Sequence, residues 1–131
     1  MPMGAMSKRI LVADDDPRIV SLLQACFAPK YDVVTASDGE EALRKTHETQ
    51  PDLVVIDLML PKLDGYTVGF KLRREQGFRR LPIIVLSGII DRDSGKEDEF
   101  DFVDFHMGKP FDPGKLLAKV DELLAGPAPA A

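Results

Sequence analysis

The chain has 131 residues, a length that predicts one domain able to bury most of its apolar surface on folding. Its 17 basic and 22 acidic residues give a net charge of −5, and no basic stripe argues for nucleic acid or an anionic membrane as a partner. We find no apolar run of membrane-spanning length and no signal peptide, and the single cysteine, Cys26, fits a reducing cytoplasm. We therefore expect a cytoplasmic domain.

Strand-like and helix-like stretches alternate five times between residues 8 and 125. Regular alternation with short connections predicts a parallel sheet with helices on both faces. We expect an α/β doubly wound, five-stranded, flavodoxin-like domain with the strand order 2-1-3-4-5. Residues 1–7 and 126–131 are predicted to be terminal tails, and no second domain is visible.

Capping residues mark the starts of the first two helices. Asp16 followed by Pro17 combines an N-cap with a first-turn proline and predicts a helix to about Phe27. A strand is predicted over residues 31–36. The run Ser37-Asp38-Gly39-Glu40 then predicts a capping box and a second helix to about His47.

The later helices differ in how clearly the sequence marks them. The third helix is predicted to begin near Gly65, with Tyr66, Gly69 and Leu72 among its inward residues. Asp112-Pro113 repeats the cap-plus-proline signature and opens the last helix. The buried stripe of that helix is predicted to consist of Leu116, Leu117, Val120, Leu123 and Leu124.

Residues 91–104 carry an unusual concentration of charge. They hold seven acids and two bases, a net charge of −5, and Gly95 interrupts them. Apolar residues appear only from Phe100 onward. A fourth helix in this segment is therefore expected to be short, weak or mobile.

Polar side chains stand where four of the apolar runs end. The carboxyl ends of neighbouring parallel strands meet at one crevice, so these side chains are expected to lie close together. They are Asp14 and Asp15 after the first run, Asp57 at the end of the third, Ser87 after the fourth and Lys109 after the fifth.

This set of side chains suits phosphoryl transfer to a carboxylate. Asp14 and Asp15 offer Mg²⁺ the hard oxygen ligands that it prefers, and the metal and Lys109 would neutralise charge on the phosphoryl oxygens. Asp57 is the expected nucleophile because it stands alone at the tip of the most apolar strand. Ser87 would complete the ring of oxygen contacts.

The chain resembles a response-regulator receiver domain of two-component signalling over about residues 8–125. The matching stretches are 10–17, 57–61 followed by Asp64-Gly65, 81–88 and 109–111. The resemblance implies that Asp57 accepts a phosphoryl group from a sensor histidine kinase or a histidine phosphotransfer protein. It also implies that Asp15 binds Mg²⁺ directly, that Asp14 helps through water, and that the Met59 backbone carbonyl is a further ligand.

The resemblance also implies a switch. Phosphorylation of Asp57 would draw Ser87 and Lys109 inward and reorganise the fourth helix and fifth strand. His106 occupies the switch position, where many receivers have an aromatic tyrosine or phenylalanine. We favour a packed strand side chain over a phosphohistidine or metal ligand for His106.

Two other classes of function fit the sequence less well. A Mg²⁺-dependent phosphohydrolase of the haloacid-dehalogenase type needs a second aspartate two residues after its nucleophile, and that residue here is Met59. A degenerate receiver, acting only as a protein-interaction module, should lack an acid, the acceptor or the lysine, and all are present. We expect no enzymatic activity beyond self-phosphorylation and autodephosphorylation, and the sequence does not identify the output.

Overall fold

The computed structural model describes residues 7–88 and 103–125. Within these ranges, strands and helices alternate as the apolar pattern predicts. The strands are β1 (Arg9–Ala13), β2 (Asp32–Ala36), β3 (Leu53–Asp57), β4 (Ile83–Ser87) and β5 (Phe105–Gly108). The helices are α1 (Pro17–Phe27), α2 (Gly39–Thr49), α3 (Gly65–Arg73) and α4 (Pro113–Ala125), with a 3₁₀ helix at Gln76–Phe78.

The five strands form one parallel sheet in the order β2-β1-β3-β4-β5, which confirms the predicted topology. The central strands β3 and β4 are buried at every position. Their runs of valine, isoleucine and leucine suit a strand that is covered on both faces. The carboxyl ends of β1, β3 and β4 therefore lie side by side.

The helices cover the two faces of the sheet and form two apolar clusters. One cluster contains Ala42 of α2 and Val68 and Leu72 of α3, and the other contains Phe27 of α1 and Leu116 of α4. Full burial of a valine, leucine or phenylalanine side chain stabilises the fold by roughly 1.5–3 kcal/mol. Packing on both faces thus fixes the sheet whose edge carries the polar residues.

The cap of α1 is as predicted, and the cap of α2 is shifted by one residue. Asp16 caps α1 by accepting the Arg18 N–H. At α2 the prediction that Ser37 is the cap is wrong, because Asp38 accepts the Glu41 N–H at 2.7 Å. The Glu41 carboxylate accepts the N–H of Ser37, the residue before the cap, so the contact is not the reciprocal pair of a capping box.

Small differences occur at other boundaries. The second strand begins at Asp32 because the Tyr31 N–H still donates to Phe27 O at the end of α1. Helix α2 continues two residues past His47 to Thr49. Tyr66 is only half-buried and stacks on the exposed ring of Phe70, so it is not part of the inward face of α3.

Some predictions fall outside the described residues. The predicted fourth helix over 91–104 lies outside them except for residues 103 and 104. The predicted tails lie outside them except for residue 7. Of the last helix, Leu116 and Val120 are fully buried, while Leu117, Leu123 and Leu124 are partly buried against the same cluster.

Candidate functional site

The sheet brings four of the predicted site residues to one edge. Asp14 follows β1, Asp57 ends β3, Ser87 ends β4 and Lys109 follows β5. Asp14, Asp57 and Ser87 are almost fully buried, with 1%, 5% and 1% of their surfaces exposed. Since buried polar groups are rare unless they are paired or bind a ligand, this edge is the clearest candidate for a functional site.

Lys109 joins the two buried carboxylates. Its Nζ atom lies 2.9 Å from Asp14 Oδ2 and 3.4 Å from Asp57 Oδ1. The Lys109 N–H also donates to Ser87 O at 2.9 Å, which holds the start of the β5–α4 connection against β4. The positive charge of this one ammonium therefore compensates the negative charges of both carboxylates. Without it, the two buried carboxylates would repel each other.

Asp14 and Asp15 are adjacent in sequence but differ in their surroundings. Asp14 is buried, and its second carboxylate oxygen accepts the Asp16 N–H at 2.9 Å. Asp15 is exposed to solvent. Asp14 is thus held rigidly by two donors, whereas the Asp15 side chain is open to a ligand that arrives from solvent.

The electrostatics of the pocket agree with this geometry. Burial, followed by the charge of Asp14, raises the pKa of Asp57, and Lys109 offsets only part of that effect. Burial alone would lower the pKa of Lys109, but its hydrogen bond to Asp14 and the charges of Asp14 and Asp57 together raise it. Additional positive charge would therefore favour the ionised form of Asp57.

Three carboxylates in this crevice fit a divalent cation. One oxygen each from Asp14, Asp15 and Asp57 can be chosen so that all three lie within 4.8 Å of one another. Carboxylate oxygens are the ligands that hard cations such as Mg²⁺ and Ca²⁺ take. The cluster can hold a metal ion, and its excess of negative charge over the single Lys109 gives a reason for one to bind.

The remaining predicted residues lie around this pocket. The Met59 N–H points back to Asp57 Oδ1 at 3.4 Å, while the Met59 residue is 60% exposed. His106 lies inside β5, in register with Val85 of β4, and is half-buried. The roles assigned from the sequence to Met59, Ser87 and His106, like those of Asp14, Asp15, Asp57 and Lys109, stay predictions.

Two features of the site were not predicted from the sequence. The first is that Asp14 is the closest carboxylate to Lys109, 95 residues away in sequence. The second is Gly65, whose N–H donates to Leu58 O at 2.8 Å and whose missing Cβ would lie 2.4 Å from Asp57 O. The dipeptide Asp64-Gly65 was a visible signal, since a cap followed by glycine permits such a close approach.

The protein is a doubly wound α/β domain in which two buried carboxylates, one exposed carboxylate and a lysine meet at the carboxyl ends of the strands. Comparison with known proteins then identifies the family. The family model described as "Response regulator receiver domain" matches residues 10–121. The chain belongs to this family, and it is a receiver domain of phosphorylation-dependent two-component signalling.

Individual relatives agree with this assignment. The chain is 45% identical over 127 residues to the alkaline phosphatase synthesis transcriptional regulatory protein PhoP of Bacillus subtilis, a match that covers 91% of this chain and 49% of PhoP. The chain thus spans about half the length of the curated relatives it matches.

Solved structures agree as well. The receiver domain of the Francisella response regulator 1452 is 32% identical with a TM-score of 0.81, covering 90% of this chain and 97% of that one. The receiver domain of the sensor histidine kinase PA1611 from Pseudomonas aeruginosa, whose structure has a magnesium ion in its active site cleft, is 25% identical with a TM-score of 0.80. That match covers 92% of this chain and 99% of the PA1611 domain.

The family also sets the kind of activity. Receiver domains of response regulators work with histidine kinases and are in general signalling domains rather than enzymes. Among the helices within residues 7–88 and 103–125, none is long and apolar enough to cross a membrane.

Proposed function

We propose that this receiver domain, residues 8–125, accepts a phosphoryl group on Asp57 in a Mg²⁺-dependent reaction. The observation that supports it best is the contact of one ammonium, Lys109, with both Asp14 and Asp57 in a crevice where Asp15 can add a third carboxylate. The donor is a sensor histidine kinase or a histidine phosphotransfer protein, and the reaction takes place in the cytoplasm.

The chain's own residues perform the transfer as follows. An Asp57 carboxylate oxygen attacks the phosphorus atom, and the bond from phosphorus to the donor's imidazole nitrogen breaks. Bound Mg²⁺ supplies charge compensation for the phosphoryl oxygens. Lys109 turns from Asp57 towards a phosphoryl oxygen, and Asp14 keeps its ammonium aligned through the 2.9 Å contact. The ionised carboxylate is the nucleophile, and it needs no general base because it has no proton to lose.

Phosphorylation changes the charge of the protein at Asp57. A phosphoryl group adds close to two negative charges beside Lys109, so Lys109 and Ser87 move inward and β5 follows. β5 is a short edge strand, and none of its residues is fully buried. Moving it therefore disrupts less packing than moving a central strand would. His106, in the middle of β5, moves with it.

The output of this switch is proposed from the relatives alone. PhoP of Bacillus subtilis is a transcriptional regulatory protein about twice as long as the match. Control of transcription is therefore the first output to test, by examining what the gene encodes beyond residue 131. The phosphohydrolase alternative is disfavoured because the position of its general acid is occupied by Met59, whose side chain is solvent-exposed and carries no acidic proton.

Labelling with acetyl phosphate tests the proposal. Wild-type protein with Mg²⁺ should gain one phosphoryl group by intact mass, and Asp57→Ala should gain none. Asp32→Ala is the matched control, because Asp32 begins β2 at the opposite end of the sheet and pairs only at the surface with Arg9. A receiver that serves only as an interaction module would not be labelled at all. Labelling of Asp57→Ala at the wild-type level would place the phosphoryl group elsewhere.

A further inference from the structure

The loop that follows Asp57 rests on the first turn of α2. Residues 58–64, called the 58–64 loop here, connect β3 to α3 and include Met59. The Gly39 N–H, at the start of α2, donates to Pro61 O at 3.1 Å. Pro61 O also accepts the Leu63 N–H at 2.8 Å, so one carbonyl ties the tight turn of the loop to the helix.

Gly39 permits this contact because it has no side chain. A Cβ atom built on Gly39 would lie 1.8 Å from Leu63 O and 2.6 Å from Leu63 C and Cβ. The nearest atom is backbone, which cannot rotate away as a flexible side chain can. Any larger residue at position 39 must therefore move the 58–64 loop or α2 by more than an ångström.

An ion pair adds to the same contact. Lys62 Nζ lies 3.6 Å from Oδ2 of Asp38, the residue that caps α2. Lys62 has a φ of 70°, in the left-handed region that side chains rarely adopt. The loop thus holds an uncommon backbone conformation where it meets the helix, and surrounding contacts are needed to maintain such a conformation.

The end of β2, three residues before Gly39, contacts the other half of the site. The Asp14 N–H donates to Ala36 O at 3.1 Å, at the end of β2. Residues 36–39 therefore contact the Asp14–Asp15 segment at one end and the 58–64 loop at the other. These residues therefore link the segment after β1 to the loop after Asp57, in addition to the direct pairing of β1 with β3.

We infer that Gly39 is a positioning residue for metal binding and phosphorylation, although it touches neither the metal nor the phosphoryl group. This inference rests on the proposed function, and it assigns to the first turn of α2 the placement of the 58–64 loop against Asp14 and Asp15. Metal ligands must be held to within about half an ångström. A shift of about 1 Å can reduce a rate about a hundredfold.

Substitution tests this assignment directly. Gly39→Ala should weaken Mg²⁺ binding about tenfold in calorimetric titration and slow labelling by acetyl phosphate by a similar factor or more. Gly77→Ala is the matched control, since a Cβ at Gly77 meets no atom within 4 Å. Thr46→Val, at a buried position later in α2, controls for loss of stability in the same helix. Equal Mg²⁺ affinity in Gly39→Ala and Gly77→Ala would overturn the inference.

A measurement on the wild type covers the case in which Gly39→Ala does not fold. Coupling between two sites is reciprocal. If the Gly39 contact favours metal binding tenfold, bound Mg²⁺ must favour the contact tenfold, and exchange of the Gly39 amide hydrogen should slow by that factor on saturation. Unchanged exchange at Gly39 in protein that binds Mg²⁺ would overturn the inference. Failure of the wild type to bind Mg²⁺ or to be labelled would instead contradict the proposed function.

Discussion

Lys109 Nζ lies closer to Asp14 Oδ2, at 2.9 Å, than to Asp57 Oδ1, at 3.4 Å. Lys109 follows the edge strand β5, and Asp14 follows β1, with β3 and β4 between them in the sheet. The lysine therefore reaches past the expected acceptor to the carboxylate beyond it. In this state Asp14 anchors the ammonium, and the weaker contact to Asp57 is the one that a phosphoryl group can replace.

The first prediction concerns the crowding of carboxylates. Asp57→Asn removes one buried negative charge, so the metal-free variant should be more stable than the wild type by about 1 kcal/mol, or a few degrees in Tm. Mg²⁺ should raise the Tm of the wild type. At a Mg²⁺ concentration of 100 times its Kd, the free energy of unfolding should increase by about 2.7 kcal/mol. Thermal unfolding with and without Mg²⁺ measures both effects.

Asp112→Asn is the control for this prediction, because Asp112 is an exposed residue at the start of α4 and asparagine also caps helices. It should leave the response to Mg²⁺ unchanged. If millimolar Mg²⁺ does not alter the Tm of the wild type, the crevice does not function as a metal site.

The second prediction concerns pH. The pKa of Asp57 is raised in the folded state, so ionisation of Asp57 destabilises the fold. This destabilisation is complete at pH values above the folded-state pKa. It disappears as the pH falls towards the pKa of the unfolded chain, which is about 4. The advantage of Asp57→Asn over the wild type without metal should therefore be largest near neutral pH and shrink towards pH 4. Urea unfolding of both proteins between pH 4 and pH 8 measures the difference, with about 1.4 kcal/mol expected for each unit of pKa shift.

Comparison of two proteins is needed here because other carboxyls act in the opposite direction. Hydrogen bonds hold the pKa values of Asp16, Asp38, Glu41 and Asp121 below their usual range. Their contribution is lost only as the pH falls further, through those depressed values. It is common to both proteins and cancels. A constant difference across the pH range would show that Asp57 titrates normally.

The third prediction concerns Lys109. Lys109→Ala leaves Asp14 and Asp57 buried without their cation, so the metal-free free energy of unfolding should fall by about 3 kcal/mol. Arg18→Ala, which removes a solvent-exposed pair with Asp16, should leave the free energy of unfolding nearly unchanged. Lys109→Ala should still be labelled in part by acetyl phosphate. Its amide hydrogen-exchange pattern should not change on labelling, in contrast to the wild type.

A Lys109→Ala protein that retains wild-type stability would mean that water or counterions already compensate the two carboxylates. A variant that is labelled and still shows the wild-type exchange changes would contradict the proposed part of Lys109 in the switch. The two readouts are separate, so each assignment can fail without the other.

The fourth prediction concerns the lifetime of the phosphoryl group. The exposed Met59 side chain stands beside Asp57 and cannot orient an attacking water by hydrogen bonding. Met59→Asn should accelerate loss of the phosphoryl group several-fold, because an amide can hold such a water. Ile89, two residues after Ser87, lies outside the described residues, and Ile89→Glu is expected to act in the same direction, with the double variant fastest.

Met59→Leu is the control, since leucine preserves both volume and polarity. Decay of the label by intact mass, in the presence of Mg²⁺, gives the rates. A double variant that decays at the wild-type rate with its fold intact would show that these side chains do not control water access.

Local signals in the sequence determined most of the elements. Asp16 and Pro17 set the start of α1, and the apolar run of β3 marked a strand buried on both faces, because caps and periodicity depend only on neighbouring residues. The placement of polar residues at the ends of those runs was enough to predict which side chains would meet. Even here, the choice between Ser37 and Asp38 as the cap of α2 needed the backbone conformation.

Contacts between distant residues were decided by the tertiary structure. The sequence contains Asp14 and Asp15 as equivalent neighbours, and only packing buries one and exposes the other. Likewise, nothing near Gly39 in the sequence indicates that Leu63 O would occupy the space of its side chain. Such contacts form because the sheet brings α2 and the 58–64 loop together, although its neighbouring strands are far apart along the chain. A local sequence pattern carries no information about that arrangement.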